Sequence, residues 1–179
     1  MRQIRAGCVA LCLSLAGQAA VATPTIARRA TCTELSTTTP NWVLTEAFSS
    51  DWPGGGGGYI AFFARHSPTG ILTNCDIEYR LNGTDGSVID YDPATIIQCT
   101  NFDRGTLNTT AQLDLDTLLL NLRGTWSCEG DDATTYEAAG ETTLLPVTSG
   151  CTVEPTQIGN ATTCPMSDGE VEGKLVESS

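Results

Sequence analysis

The chain has 179 residues and sets 21 acidic against 9 basic side chains, for a formal net charge of −12. So acidic a protein is repelled by phosphate backbones and by anionic lipid headgroups, which excludes nucleic acid and anionic membranes as partners. Beyond the N-terminus no apolar run approaches the roughly 20 residues of a membrane-spanning helix.

In chain order, Met1, Arg2 and Arg5 precede an apolar stretch, residues 6–16, and small residues then lead to Ala20-Val21-Ala22. Basic, hydrophobic and A-x-A segments in that order make a secretory signal peptide, residues 1–22, with cleavage after Ala22. Arg28-Arg29 follows in a loop-like Thr-Pro context, resembles a kexin-type processing site of fungal secreted precursors, and makes residues 23–29 a short propeptide. Past that point only Arg65, Arg80, Arg104, Arg123 and Lys174 oppose the 21 acidic residues, five against 21, a net charge of −16.

Of the eight cysteines, Cys8 and Cys12 leave with the signal peptide. Cys32, Cys75, Cys99, Cys128, Cys151 and Cys164 remain, and an even number in a secreted chain reads as disulfides whose pairing the spacing leaves open. With no C-x-x-C pair and a single histidine, a zinc site is not expected. Asn82, Asn108 and Asn160 head N-x-T sequons, consistent with glycosylation on exposed loops.

Strand-like segments recur at residues 42–48, 59–65, 71–81, 87–91, 95–99, 109–115, 118–128, 135–139 and 142–147. Gly, Pro, Asn and Asp separate them, as in Asn82-Gly83-Thr84-Asp85-Gly86 and Asp92-Pro93. Helical periodicity is nearly absent. The expected fold is therefore all-β, a compact, disulfide-stapled antiparallel barrel or sandwich over residues 30–154. The Leu-rich stretch 113–122 admits a helix, but Thr109-Thr110 and Thr125-Trp126 on its flanks favour strand. Residues 155–179, acidic and poor in apolar side chains, read as a disordered tail despite carrying Cys164, and no lipid-anchor signal is expected at their end.

Four features invite a chemical reading. Gly54 to Gly58 resemble a phosphate loop only in composition: no Lys follows, and Tyr59-Ile60-Ala61-Phe62-Phe63 is strand and not helix, so the glycines are expected to be a flexible strand connection, a lip beside a binding face. His66, the one imidazole, precedes a Ser67-Pro68-Thr69-Gly70 turn; without a G-x-S-x-G elbow it is expected to be a solvated turn residue. Asp114 with Asp116, and Asp90 with Asp92, each place two carboxylates on one strand face, the minimum for glycoside hydrolysis, although the same pattern makes an ordinary wet face. Asp-x-Asp also ligates calcium, but the D-x-D-x-D-G spacing is missing. Among the aromatics, Trp42 and Trp126 are assigned to the core, while Trp52 and Tyr59 beside the glycines are the candidate binding surface, with Phe62 and Phe63 next to them.

Thr109-Thr110-Ala111-Gln112-Leu113-Asp114-Leu115, then Leu118 to Leu122, Gly124-Thr125-Trp126-Ser127-Cys128, Tyr136-Glu137-Ala138-Ala139-Gly140 and Thr142-Thr143-Leu144-Leu145 resemble the C-terminal half of fungal AA1-like secreted proteins. That is the Alternaria major allergen Alt a 1 family, with its hypersensitive-response-inducing relatives. Trp42-Val43-Leu44, Phe48, Ile60-Ala61-Phe62 and Cys75 extend the likeness to about residues 32–151. The resemblance implies a β-barrel with Cys75 paired to Cys99 and Cys128 to Cys151. It also puts Cys32 at the family's interchain position, hence a covalent homodimer, although Cys164 offers Cys32 an intrachain alternative. No active site or cofactor is implied.

The resulting expectation is a secreted, extracellular, non-enzymatic fungal protein acting through its surface. It would be an effector or elicitor toward a host extracellular protein, or a carrier of a small apolar ligand. The competing expectation is an acidic glycan-binding module or glycoside hydrolase built on the paired Asp residues, with a structural cell-wall component as the third.

Overall fold

A computed structural model describes residues 30–128 and 134–176. The signal-peptide and propeptide assignments lie outside the described residues. The described residues open with a helix, α1 (Cys32–Thr38), which the sequence pattern did not indicate; the Thr31 side chain caps it by accepting from the Glu34 amide at 3.3 Å. Seven residues are too few to hold a helix alone. This one is fastened at Cys32 by a disulfide to Cys128 and plugged into the core by the fully buried Ser36.

The rest of the described residues are antiparallel strand and connection, the latter including two 3-10 turns. The strands are β1 (Trp42–Trp52), β2 (Gly57–His66), β3 (Leu72–Leu81), β4 (Val88–Ile89), β5 (Ile97–Gln98), β6 (Thr100–Asn101), β7 (Asn108–Asp114), β8 (Leu119–Ser127), β9 (Thr135–Thr143), β10 (Thr152–Thr156), β11 (Gly159–Pro165), β12 (Gly169–Val171) and β13 (Lys174–Leu175). They form two sheets. The eight-stranded sheet runs β10-β11-β1-β2-β3-β4, with β12 also on β1 and β6 on β3; the five-stranded sheet runs β13-β9-β8-β7-β5. The Leu-rich stretch is no helix but a hairpin, the end of β7, a turn over 115–118 and the start of β8, as the strand-favouring flanks indicated; Leu113, Leu120 and Leu122 point inward.

The inner faces share one core. Trp42, Leu44, Ile60, Phe62 and Ile77 from the larger sheet meet Leu113, Leu120, Leu122, Trp126 and Ala138 from the smaller. Each large side chain so buried contributes about 1.5–3 kcal/mol. Trp42 and Trp126 are core residues, as assigned.

The expected segment 135–139 and the start of the next, 142–143, merge into the single strand β9, while 144–147 leave the sheet apart from a Pro146–Met166 bridge. Gly140 is the reason they looked separate: it marks no turn, but a place where the backbone of Glu172 crosses so closely that a Cβ would strike its carbonyl oxygen.

The expected disordered tail is a correction: through Val176 it is structured. β10 and β11 form a hairpin, β11 and β12 pair with β1, and β13 pairs with β9. Composition hid this because β10 is an exposed edge strand and β11 beside it is only half-buried, so the hairpin needs few apolar residues. Only Met166 and Val171 enter the core, Val171 at 0% exposure.

Cystine pairing is corrected in two of three bonds. Cys75–Cys99 forms as the family likeness implied, but Cys128 pairs with Cys32 and Cys151 with Cys164, so no Cys128–Cys151 bond exists and Cys32 is consumed within the chain. The physical cause is placement. The β10–β11 hairpin carries Cys164 to Cys151, while α1 lies over the end of β8.

Candidate functional site

Strand β2 is apolar at both parities. Ile60, Phe62 and Ala64 point into the core, so Tyr59, Ala61 and Phe63 occupy the outer face of the larger sheet. On β1, a bulge between Thr45 and Phe48 shifts the alternation and turns Phe48, Ser50 and Trp52 to that same outer face. Register then brings the rings together. Tyr59 meets Phe48 at 5.5 Å and Trp52 at 5.6 Å, both edge-to-face, and Phe63 meets Phe102 from the β6 end at 5.6 Å.

Phe48, Trp52, Tyr59 and Phe63 are half-buried, and Phe102 is 63% exposed. Ser50 and Thr163 share a hydroxyl hydrogen bond of 3.0 Å on this face, and Val43 adds another exposed apolar side chain. Trp52 and Tyr59, chosen from sequence, thus lie side by side with Phe63, named next to them, further along the same face; Phe48 and Phe102 were missed as members, and Phe62 belongs to the core. The signal was present in Tyr59-Ile60-Ala61-Phe62-Phe63, because a strand apolar at both parities has two faces to cover.

The glycine run beside this row is packed and not the expected flexible connection. Pro53–Gly55 form a 3-10 turn, Gly56 adopts φ 71°, and Gly57 and Gly58 already belong to β2. A Cβ on Gly54 would strike the Ile158 carbonyl, and one on Gly55 would strike the Trp52 ring, so these glycines exist for close approach of the β10–β11 turn.

His66 is not a solvated turn residue. It ends β2 at 0% exposure between Trp42, with ring centroids 5.2 Å apart, and Trp126 at 4.3 Å. Nδ1 and the Thr69 hydroxyl lie 3.0 Å apart and Nε2 has no partner among the described residues; burial lowers the imidazole pKa to about 3. The imidazole is sealed from solvent.

The four aspartates do converge, in part. Asp90, Asp114 and Asp116 line one hollow of about 230 Å³ with Tyr91. Each acid there and Asp92 beside them has a local duty or none: Asp90 pairs with Arg80 at 3.1 Å with both side chains exposed, Asp92 accepts from the Ala94 amide at 2.9 Å, and Asp114 accepts from the amides of Asp116 and Thr117 at 2.9 and 3.1 Å. This is turn capping. Tyr91 donates to the Leu113 carbonyl at 2.8 Å, and burial, then the charges of Asp114 and Asp92, push its hydroxyl pKa up. Among the described residues no three acidic, His or Cys side chains are placed to hold a metal ion.

Of the sequon residues, Asn108 and Asn160 are exposed at the starts of β7 and β11, and Asn82 is half-buried in the loop after β3, its carbonyl accepting from the Thr84 amide at 2.9 Å.

No protein-family model matches the chain, and no curated protein matches it. The crystal structure of the Alternaria alternata major allergen Alt a 1 is similar to it, at 11% identity and a TM-score of 0.44, over 80% of this chain and 99% of that one. The allergen is a member of the family that the sequence resembles.

Proposed function

We propose that this is a secreted, non-enzymatic binding protein that engages a host extracellular protein through the outer face of its larger sheet. One observation carries the reading: the aromatic row Trp52–Tyr59–Phe48, continued by Phe63–Phe102, lies on the outer face of the larger sheet with its rings half-buried and Phe102 63% exposed. Half-buried aromatic side chains on a rigid sheet are the residues that anchor protein interfaces, because they bring large area at small entropic cost. With 21 acidic residues in the chain, the fitting partner presents a basic rim around an apolar patch, and the opposite charges speed encounter.

The glycan-binding and hydrolase reading is less well supported. Tyr59 meets its two neighbours at interplanar angles of 81° and 69°, so the row offers no common plane for sugar rings, and the aspartates serve turns.

The test is binding of the protein, purified from culture medium, to the components of plant extracellular fluid, compared between wild type and a Tyr59→Ala, Phe102→Asp double variant of unchanged circular dichroism. A specific complex lost in the variant supports the proposal. Equal retention by both, or no complex at all, rejects it.

A further inference from the structure

At the glycine-turn end the two sheets part around a cleft of about 240 Å³, away from the outer aromatic face. Ile60 and Leu81 form its wall on the larger sheet, and Leu118 from the β7–β8 turn and Met166 stand opposite. Into these apolar surroundings reach Asp51 and Tyr79. The register pairs Asp51 with Gly58 and Gly58 with Tyr79, so the two side chains stand on one inward row either side of a missing side chain. A Cβ on Gly58 would strike both of them. Across that gap the Tyr79 hydroxyl donates to Asp51 Oδ1 at 2.5 Å.

Three facts define what is missing from the cleft. Among the described residues no lysine or arginine pairs with Asp51, whose Oδ2 receives no hydrogen bond. Tyr79 stays a protonated donor, because burial, then its hydrogen bond to Asp51 and the Asp51 charge, push its pKa upward. Ser49 joins hydrocarbon side chains in the rest of the lining, whose surface is about equally polar and apolar, and among the described residues no set of groups is placed to hold a metal ion. Asp51 is half-exposed at the mouth of the cleft with no cationic partner among the described residues, and the negative field of the whole chain concentrates cations at such a carboxylate.

We propose that this cleft binds a small apolar amine in its ammonium form, the cation on Asp51 beside the Tyr79 ring and the hydrocarbon part between Leu118 and Met166. Volume sets the size. An apolar cavity of about 150 Å³ takes a benzene ring, so 240 Å³ accommodates a ring with a short aminoalkyl arm. An ammonium supplies the missing charge and donors together, and the phenol face adds a cation–π contribution. A neutral alcohol of the same shape supplies one donor and leaves the carboxylate uncompensated.

The experiment is an NMR titration of the full secreted protein, following the Met166 methyl and the Leu118 amide, with benzylammonium chloride, with benzyl alcohol, and with ammonium chloride as a control for loose cation binding. The expected result is saturation by benzylammonium at millimolar concentration or below, at least about tenfold tighter than benzyl alcohol, with Asp51→Asn abolishing that preference and Tyr79→Phe reducing it. Equal affinity for amine and alcohol, shifts reproduced by ammonium chloride, or no saturation overturns the proposal. Should Asp51→Asn fail to fold, the amine-to-alcohol ratio in the wild type decides by itself. Failure here leaves the outer-face reading untouched, since the two sites share none of the residues that each test changes.

Discussion

His66 stands edge-on to Trp126, their ring centroids 4.3 Å apart, with Trp42 on its other side. Burial holds the folded imidazole neutral down to about pH 3, whereas the unfolded chain titrates near 6.5. Between those values the unfolded state binds the extra proton. Stability from this site is therefore complete above 6.5 and falls as pH drops toward 3, at about 1.4 kcal/mol per unit. Unfolding free energies from urea titrations near neutrality and again near pH 4 are expected to fall about 3 kcal/mol further in wild type than in His66→Gln. Parallel declines would show that His66 does not titrate across this window.

Cys32 and Cys128 close a loop of 96 residues, Cys151 and Cys164 one of 13. In the chain-entropy account the long loop contributes about 4–5 kcal/mol and the short one about 3. Replacing Cys32 and Cys128 together by Ser is thus expected to cost more than replacing Cys151 and Cys164. It should also free Ser36 from Trp126, whose indole N–H donates to its hydroxyl at 2.8 Å. Peptide mapping without reduction should recover Cys32–Cys128, Cys75–Cys99 and Cys151–Cys164 from a protein that migrates as a monomer; a Cys128–Cys151 peptide would contradict the fold.

Adjacent glycines should respond oppositely to alanine. At Gly57 the nearest atom to a new Cβ is 3.6 Å away, on the Trp52 ring, so Gly57→Ala is expected to be neutral or to stabilise slightly through the unfolded chain. At Gly58 the same Cβ collides with Asp51 and Tyr79, and overpacking there should cost about 1–3 kcal/mol. Similar melting temperatures for the two variants would refute the packing described at the cleft.

Glu46 sits in the β1 bulge at φ 53°, exposed, its amide donating to the Asp168 carboxylate at 3.0 Å. A side chain in the left-handed region costs about 1–2 kcal/mol, which glycine avoids at some entropic loss. Glu46→Gly should raise the melting temperature by about 2–4 °C. A decrease would mean that the glutamate side chain itself holds the bulge.

Much of the larger architecture was legible because strands announce themselves locally. Thr109-Thr110 and Thr125-Trp126 marked the Leu-rich stretch as strand, and Asn82-Gly83 placed the turn after β3. Gly140 misled because a glycine reports that a side chain is not tolerated without saying whether a turn or a crossing backbone forbids it. His66 misled likewise: its turn sequence is real, and the Gly70 amide donates to the His66 carbonyl at 2.8 Å, yet the ring points the other way, between two indoles. Of the candidate site, Trp52 and Tyr59 were readable beside the glycines. Phe48 was hidden by the bulge that reverses its parity, and Phe102 by its separation along the chain.

Composition, alternation and cysteine number by themselves determined an acidic, antiparallel all-β domain with six cysteines available for pairing, because charge, period-two burial and turn chemistry act over a few residues. Tertiary structure alone decided which cysteines pair, that residues 152–175 complete both sheets, and that Asp51 reaches Tyr79 across Gly58. Each of these depends on the register between strands distant in sequence, which is set by the fit of the whole core and written in no single segment.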